Sequence, residues 1–228
     1  TGLDPVNFKG IRERIADALR QAIIDGSLRP GESLKDTVLA TRFNVSRSPV
    51  REALLVLEKE SLVKNYHNQG WFVIDLSESE IAEITSFRAV LEVLVLQAAA
   101  AKVQPSQLRE LEDIERKFRA ALEGSDMPNV SRQDADFHRL LWRIAGIRLL
   151  EETLVQLTSP YFAYMQAALR TSGVSIEDLL ATARNHESFI DYLRGVQDRS
   201  AKDLIREHFA AMKLPHWDGM LNLLSSGG

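Results

Sequence analysis

The stretch that decides the fold of this chain is Val45-Ser46-Arg47-Ser48-Pro49-Val50-Arg51-Glu52-Ala53-Leu54. Serine is favoured just before a helix, and proline is tolerated in a first helical turn. Apolar residues then recur at helical spacing and predict one buried face: Val50, Ala53, Leu54 and Leu57. Arg47 and Arg51 are four positions apart, so they project to one side of the helix. The stretch favours a helix that reads the major groove of DNA; the alternative is a surface helix with two solvated arginines.

Two further helices are predicted before this stretch. Apolar spacing indicates a first helix from Ile11 onward, ended by Gly26, and a shorter second helix over residues 36–43. The segment Asn44-Val45-Ser46 then forms a tight turn. Helix, short helix, turn and helix is the order of a helix-turn-helix.

A β-hairpin is predicted after the third helix. Leu62-Val63-Lys64 and Trp71-Phe72-Val73-Ile74 are β-rich and flank a polar turn over residues 65–70. A hairpin in this position is a wing. Its tip, with His67 and Gly70, can reach the minor groove or the phosphates beside the recognition helix.

These residues resemble the GntR family of bacterial transcription regulators. The resemblance lies in four segments in the family's order, residues 26–34, 45–54, 57–63 and 70–73. It implies a winged helix-turn-helix that binds double-stranded operator DNA as a homodimer, with Arg47 and Arg51 making the main contacts. The candidate DNA-binding residues are Ser46, Arg47, Ser48, Pro49, Arg51, His67 and Gly70.

The chain departs from the family at two positions of this region. The family commonly has glycine where Ser61 stands, and often a charged or polar residue where Thr37 stands. The loss of a charge at position 37 removes one DNA contact that the family would lead us to expect.

Charge and composition narrow the class of protein. The net charge is −4, with 11 basic and 10 acidic residues in 1–75 and 17 basic and 22 acidic residues in 76–228. An acidic second half keeps that part of the molecule away from DNA phosphates.

The chain has no cysteine, hence no disulfide or thiolate metal site. With no apolar run near the ~20 residues of a membrane span and no visible signal peptide, we expect a cytoplasmic protein without a membrane partner.

The sequence predicts two domains, a DNA-binding domain over residues 1–75 and a second, all-α domain over residues 76–228. Ser77 and Glu80 have the spacing of a capping box. The sequence shows no sustained strand alternation and indicates an antiparallel helical bundle. After the capped helix we expect five more helices, approximately over residues 105–122, 131–145, 148–171, 175–194 and 198–214. Pro160 is expected to kink the fourth helix of the bundle.

Four residues of the bundle could form a metal site. Asp134 and His138 are spaced i, i+4 and therefore lie on one helix face. His186 and His208 stand among apolar residues on two later helices, so all three histidines can face the bundle interior. Ligands on facing helices are a common design for metal sites in bundles. The alternative is that the histidines are ordinary core residues with hydrogen bonds.

The segment Asp134-Ala135-Asp136-Phe137-His138, with His186 and His208 downstream, resembles the metal-binding subset of the FadR-type effector domain, the FCD domain. This resemblance implies that Asp134, His138, His186 and His208 hold a divalent metal ion, either zinc, nickel or manganese. It also implies that Arg88 pairs with the carboxylate of an effector. An arginine on the helix surface is the alternative for Arg88.

The sequence therefore predicts a ligand-responsive transcription regulator and not an enzyme. A small carboxylic acid, such as a sugar acid or hydroxy acid, would bind at or near the metal and change the affinity for the operator. Two alternatives stay open. One is a metal-dependent hydrolase with an accessory DNA-binding domain, and the other is a regulator whose metal is purely structural.

Overall fold

The chain divides into two compact units after Asp75. The computed structural model describes residues 10–24, 26–168, 176–196 and 198–211. The elements of the N-terminal unit are α1 (Ile11–Ile24), β1 (Ser33–Leu34), α2 (Asp36–Phe43), α3 (Arg47–Lys59), β2 (Val63–Tyr66) and β3 (Gly70–Val73). Those of the C-terminal unit are α4 (Glu78–Ala100), α5 (Pro105–Glu123), α6 (Met127–Ala145), α7 (Arg148–Ala168), α8 (Ile176–Leu193) and α9 (Ala201–Ala211).

Packing of α1 against α3 forms the core of the N-terminal unit. The buried side chains of this core include Ile15, Leu19, Ile23, Val50, Ala53, Leu54 and Leu57. Asn44 ends α2 in the left-handed conformation, with φ of 53°, and its N–H bonds back to Ala40 and Thr41. The chain then turns into α3, with Ser46 as the residue before the helix. The helix-turn-helix is therefore present, and the apolar face predicted for α3 is buried.

The wing is a three-stranded antiparallel sheet in the order β1-β3-β2. The pairing of Ser33 with Phe72 adds β1 to the predicted hairpin. Tyr66 pairs with Gly70, so the turn is limited to residues 67–69 and the predicted turn over 65–70 was too long. An edge-on contact of the Tyr66 and Phe72 rings, 5.6 Å between centroids, supports this longer pairing.

Ser61 has a left-handed backbone, with φ of +58°. This conformation brings the Cβ of an L-residue close to the next carbonyl and is occupied most readily by glycine. The position lies in the turn between α3 and β2. The departure from the family's common glycine therefore places a strained serine at this turn.

Helix α6 lies among three neighbours in the C-terminal unit, since it packs against α4, α5 and α7. Helix α8 packs against α5 and α9, and α9 also packs against α4. The fold class predicted from the sequence, a winged helix-turn-helix followed by an all-α bundle, is confirmed. Among the described helices, none combines the length and the apolar character needed to cross a membrane.

Local capping decides where several helices of this unit begin. The capping box of Ser77 and Glu80 is present at α4, as predicted. Helix α6 begins at Met127 and not at Ser131, because Asp126 accepts a hydrogen bond from the N–H of Asn129. Helix α9 begins at Ala201 and not at Asp198, because the Ser200 hydroxyl accepts from the N–H of Asp203.

The remaining helix ends fall partly outside the described part of the chain. Helix α7 continues through Pro160 to Ala168. The end predicted at Thr171, the cap predicted at Ser175 and the end predicted at Leu214 lie outside the described residues.

Candidate functional site

Arg47 and Arg51 lie on the same side of α3 and share one carboxylate, that of Asp36 at the start of α2. Nη2 of Arg47 is 3.0 Å from Oδ2 of Asp36, and Nε of Arg51 is 2.5 Å from the same oxygen. The arginine side chains are 54% and 57% exposed, whereas that of Asp36 is 14% exposed. Burial acts to raise the pKa of the Asp36 carboxyl, but the two arginines outweigh it and lower the pKa. Asp36 is thus an ionised anchor for both cations.

The other predicted residues of this helix stand at its first turn. Ser46 precedes the helix, but its side chain makes no capping hydrogen bond. The Ser48 hydroxyl donates to Oε1 of Glu52 at 3.3 Å. Pro49 lies in the first turn, where its missing N–H removes no helical hydrogen bond.

The wing places its predicted residues next to the recognition helix. Gly70 has φ of +94°, and a Cβ there would meet no atom within 4 Å. His67 is exposed in the turn that precedes it. A groove of about 530 Å³ runs between the wing and the start of α2. Its lining includes Asp36, Arg51, Asn65, Asn68, Gln69 and Gly70. Arg51 of the helix and Gly70 of the wing therefore line the same groove.

Three histidines meet inside the C-terminal unit. His138 comes from α6, His186 from α8 and His208 from α9, and all three are fully buried. Each offers a ring nitrogen, and these nitrogens lie within 4.8 Å of one another, a cluster that could hold a metal ion. Oδ1 of Asp134 is 3.3 Å from Nε2 of His186 and 3.9 Å from Nε2 of His138. The four residues singled out from the sequence are thus close together in space.

Most nitrogens of this cluster lack a hydrogen-bond partner in the described part of the chain. The nitrogens without a partner are Nδ1 and Nε2 of His138, Nδ1 and Nε2 of His208, and Nε2 of His186. Oδ1 of Asp134 also has no hydrogen-bond partner. An unsatisfied polar atom in a protein interior reduces the free energy of unfolding by about 1–3 kcal/mol. Several such atoms in one place therefore point to a bound group. Ordinary core histidines would have hydrogen bonds that five of the six ring nitrogens lack among the described residues.

Two buried glutamates contact the cluster from behind. Nδ1 of His186 is hydrogen-bonded to Oε2 of Glu115 at 3.3 Å. Nδ1 of His138 lies 3.2 Å from Oε1 of Glu92, outside hydrogen-bond alignment but close enough for electrostatic contact. Carboxylates behind metal-binding histidines fix the ring orientation and raise its basicity. In His138 and in His186, Nε2 is the ring nitrogen that faces Asp134.

Burial is the largest influence on the pKa values in the cluster. It lowers the pKa of His138, and it lowers that of His208 well below the ordinary value. Burial also acts to lower the pKa of His186, but Asp134 and Glu115 outweigh it and raise that pKa. For the Asp134 carboxyl, burial acts to raise the pKa, yet His186 and His138 hold it below its ordinary range. The lowered pKa values of His138 and His208 favour neutral imidazoles, and the lowered pKa of Asp134 favours an ionised carboxylate. A neutral imidazole and an ionised carboxylate are the forms that bind a divalent cation.

Arg88 is fully buried, so the alternative of a surface arginine is wrong. Its Nε donates to Oε1 of Glu92 at 2.8 Å. Its Nη1 and Nη2 are buried and have no hydrogen-bond partner among the described residues. The guanidinium carbon lies 4.9 Å from the ring centre of Phe162, 5.3 Å from that of Phe209 and 5.8 Å from that of Tyr161. A buried cation with two free donor nitrogens is a suitable receptor for a carboxylate.

Three carboxylates of these sites escaped the sequence reasoning: Asp36, Glu92 and Glu115. Glu92 follows Arg88 by four positions, so its helix face was a usable signal. Glu115 lies at helical spacing from the buried Leu111 and Phe118, which was also a signal. Asp136, two residues after Asp134, is half-buried, and its Oδ1 lies 3.8 Å from Nη1 of Arg139.

Comparisons with known proteins agree in both units. Residues 11–73 match the family of bacterial regulatory proteins named gntR, and residues 83–211 match the FCD domain. The chain is 31% identical over 157 residues to the HTH-type transcriptional repressor RspR of Escherichia coli K12, covering 69% of this chain and 68% of that protein. It is 29% identical over 188 residues to the gluconate operon transcriptional repressor of Bacillus subtilis, covering 82% and 76%.

A solved structure gives the same picture of the fold. The structure of E. coli McbR/YncC is similar with a TM-score of 0.68 and 21% identity, over 95% of this chain and 97% of that one. The family resemblance drawn from the sequence is confirmed, and the matched domains and relatives are those of regulators. This chain belongs to the GntR family of bacterial regulatory proteins, carries a C-terminal FCD domain, and is a DNA-binding transcription regulator and not an enzyme.

Proposed function

We propose that this chain is a homodimeric regulator whose affinity for operator DNA is controlled by a small carboxylic acid bound beside a divalent metal ion. The observation that carries this proposal is the buried guanidinium of Arg88, which has two unpaired nitrogens and shares Glu92 with the histidine cluster. Residues 1–75 would act on DNA and residues 76–228 on the effector. On this proposal the chain belongs to the FadR subfamily.

The metal ligands in this proposal are Asp134, His138, His186 and His208. The unpartnered nitrogens and the ionised carboxylate support them. Zinc, nickel and manganese all accept imidazole and carboxylate ligands. A metal ion held here supplies a positively charged coordination site for an oxygen of the effector. Glu92 and Glu115 orient two of the imidazoles.

Arg88 is the proposed effector-binding residue. Its free Nη1 and Nη2 can bind both oxygens of a carboxylate as a fork. The burial of these nitrogens favours a small ligand that enters the unit and excludes water. The name of one relative, the gluconate operon repressor, supports the sugar-acid class among the carboxylic acids.

On the DNA side, Arg47 and Arg51 are proposed to contact bases and phosphates in the major groove. Ser46, Ser48 and Pro49 lie beside the phosphates, and His67 and Gly70 belong to the wing tip. A symmetric dimer would place its two half-sites roughly 34 Å apart. We place this activity in the cytoplasm, where the operator is.

Metal content is the first test of the proposal. We expect elemental analysis of the purified protein to find about one divalent metal ion per chain. A His186→Ala/His208→Ala double variant should lose it. His67→Ala is the matched control, because His67 is an exposed wing residue outside the cluster. A metal-free protein that stays so after incubation with zinc, nickel and manganese would overturn the metal site.

Effector control is tested with the metal-loaded protein. Gluconate and other sugar and hydroxy acids are titrated by calorimetry, and the affinity for the chain's own promoter region is measured with and without each acid. We expect one class of acid to bind and to change the DNA affinity, and Arg88→Gln to abolish both effects. A metal-loaded protein that binds no acid would support the alternative of a structural metal.

A further inference from the structure

One guanidinium joins helices α5 and α8 beside the histidine cluster. Nε of Arg119, on α5, donates to Oε1 of Glu115 at 2.7 Å. Nη2 of the same side chain lies 2.6 Å from Oε1 of Glu187 on α8, in an ion pair without hydrogen-bond alignment. Glu187 directly follows His186 in the sequence. Arg119 therefore reaches α8 at the residue next to a proposed metal ligand.

These contacts close a ring around Glu115. Its Oε1 accepts from Arg119, and its Oε2 lies 3.3 Å from Nδ1 of His186, in a hydrogen bond between the two helices. The ring returns to Arg119 through Glu187. Each oxygen of the Glu115 carboxylate therefore has its own partner, and the orientation of the carboxylate towards His186 is fixed from both sides.

We propose that Arg119 is a positioning residue of the metal site, which holds Glu115 in place behind His186. The inference rests on the metal ion of the proposed function and extends its site to a side chain that is 35% exposed at the surface. A carboxylate behind a metal-binding histidine fixes the orientation of the ring and raises its basicity. Arg119 acts on the metal through that carboxylate.

The surroundings of Glu115 explain why it needs this cation. Its side chain is 6% exposed, yet it lines a surface groove of about 430 Å³ between α5 and α8. A carboxylate that is buried without a cation is unfavourable, and the groove offers it a way to solvent. Without Arg119 the carboxylate of Glu115 would turn away from His186 towards the groove. The Nδ1–H of His186 would then lose its acceptor, and the ring would be held less firmly towards the metal.

A second arginine of the same groove is a natural comparison. Nη2 of Arg194 lies 2.6 Å from Oε1 of Glu112 on α5, and its Nη1 lies 3.0 Å from Oδ1 of Asp191 on α8. Arg194 thus joins the same two helices by the same kind of ion pair. Of these two arginines, Arg119 is the one whose contacts in the described part of the chain include Glu115.

Metal affinity tests the role of Arg119. The dissociation constant for Zn²⁺ is measured on the full chain by competition with a fluorescent chelator, and circular dichroism checks that each variant is folded. Arg119→Gln should raise this constant about tenfold, at the lower end of the range for groups behind metal ligands. Arg194→Gln should keep the wild-type constant. Wild-type affinity in Arg119→Gln would overturn the inference. An equal loss in Arg194→Gln would also overturn it, because the effect would then be a general bracing of the two helices.

A double-mutant cycle tests whether Arg119 acts through Glu115. In a Glu115→Gln background the arginine has no carboxylate to hold, so adding Arg119→Gln should leave the Zn²⁺ dissociation constant unchanged. If the losses of the two single variants add in the double variant, Arg119 acts by another route and the inference fails.

The hydrogen bond of His186 gives a spectroscopic test. In zinc-loaded protein with ¹⁵N-labelled histidine, the Nδ1–H of His186 should give a downfield proton signal that Arg119→Gln removes or broadens. The corresponding signal of His138, which faces Glu92, should persist in the same variant and serves as the internal reference. A His186 signal that is as sharp in Arg119→Gln as in wild type would contradict the positioning role.

The outcomes separate failure of this inference from failure of the proposed function. A wild-type protein that binds neither zinc, nickel nor manganese would overturn the metal site and the role of Arg119 together. A wild-type protein that binds metal, loses it in His186→Ala/His208→Ala and keeps its full affinity in Arg119→Gln would overturn the role of Arg119 alone.

Discussion

Arg88 and His138 contact the same atom, Oε1 of Glu92, at 2.8 and 3.2 Å. One contact comes from the guanidinium proposed to bind the effector, and the other from an imidazole proposed to bind the metal. Burial acts to raise the pKa of the Glu92 carboxyl, but Arg88 and His138 outweigh it and lower the pKa. The ionised carboxylate is thus common to both halves of the proposed site. Changes at one half will alter the interaction of Glu92 with the other.

We therefore predict that Glu92→Gln weakens the coupling between metal and effector. The amide has no net charge, so it stabilises neither the Arg88 cation nor the His138 imidazole as well. Metal affinity should fall about 10- to 100-fold, as for other residues behind metal ligands. The ratio of metal dissociation constants with and without the bound acid should also move towards one. Competition with a fluorescent chelator, in both conditions, measures this ratio.

Glu115→Gln is the matched control for this prediction. Glu115 is hydrogen-bonded to His186, and Arg119 is its ion-pair partner at 2.7 Å. The Glu115→Gln substitution should weaken metal binding. The ratio of metal dissociation constants with and without the bound acid should stay as in wild type. An unchanged ratio in Glu92→Gln would mean that the coupling runs through other residues.

Arg51→Ala should reduce affinity for the operator roughly 10- to 100-fold, because an arginine that reads a guanine contributes about 1–3 kcal/mol of discrimination. The midpoint of thermal unfolding should hardly change, since the side chain is 57% exposed. Fluorescence anisotropy with labelled operator measures the affinity. Arg14→Ala, at an exposed position of α1, controls for the loss of one positive charge. Equal operator affinity in the Arg51 variant and wild type would remove Arg51 from the DNA interface.

Asp36→Asn should make the protein bind unrelated DNA more tightly. Asp36 neutralises part of the charge of Arg47 and Arg51 in the free protein, and those contacts must be given up before the arginines reach DNA. We expect a steeper dependence of affinity on salt and a smaller ratio of operator to random-sequence affinity. Asp17→Asn removes the same charge from the N-terminal unit but contacts Arg20, so it is the control. Identical salt dependences for the two variants would contradict a specific role for Asp36.

Ser61→Gly should stabilise the N-terminal unit by about 0.5–1 kcal/mol. Glycine relieves the left-handed strain at φ of +58°, and this gain exceeds the larger entropy of glycine in the unfolded chain. Denaturant unfolding followed by circular dichroism measures the difference. Ser61→Ala keeps the Cβ and should give no gain, so stabilisation by alanine as well would point to a cause other than the backbone.

The sequence was most informative where function depends on spacing along one helix. The pair Asp134 and His138 lies on one face because residues four apart must do so, and Arg47 and Arg51 follow the same rule. Contacts between helices were harder to foresee. Glu115 meets His186 across 71 positions, and Asp36 meets Arg51 across 15. Such pairs depend on how helices pack, and neither residue stands at a fixed interval from its partner.

The start of a helix was predicted wrongly where the capping residue lies before or after the position that the apolar pattern indicated. Asp126 caps α6, which begins at Met127, four residues before Ser131, and Ser200 sets the start of α9. The apolar pattern reports only the buried face, whereas the cap satisfies N–H groups of the first turn. The two signals need not coincide.

The positions of the histidine cluster along the chain bear on the order of synthesis. The N-terminal unit is complete at Asp75, but the cluster is closed only by His208 on α9, the last described helix. At 5–20 residues per second, a ribosome needs roughly 7–27 s to reach that histidine from the end of the N-terminal unit. During that interval a nascent chain holds the whole winged helix-turn-helix without the cluster. Truncation before α9 would leave a product in the same condition permanently, with its DNA-binding surface present and its control site incomplete.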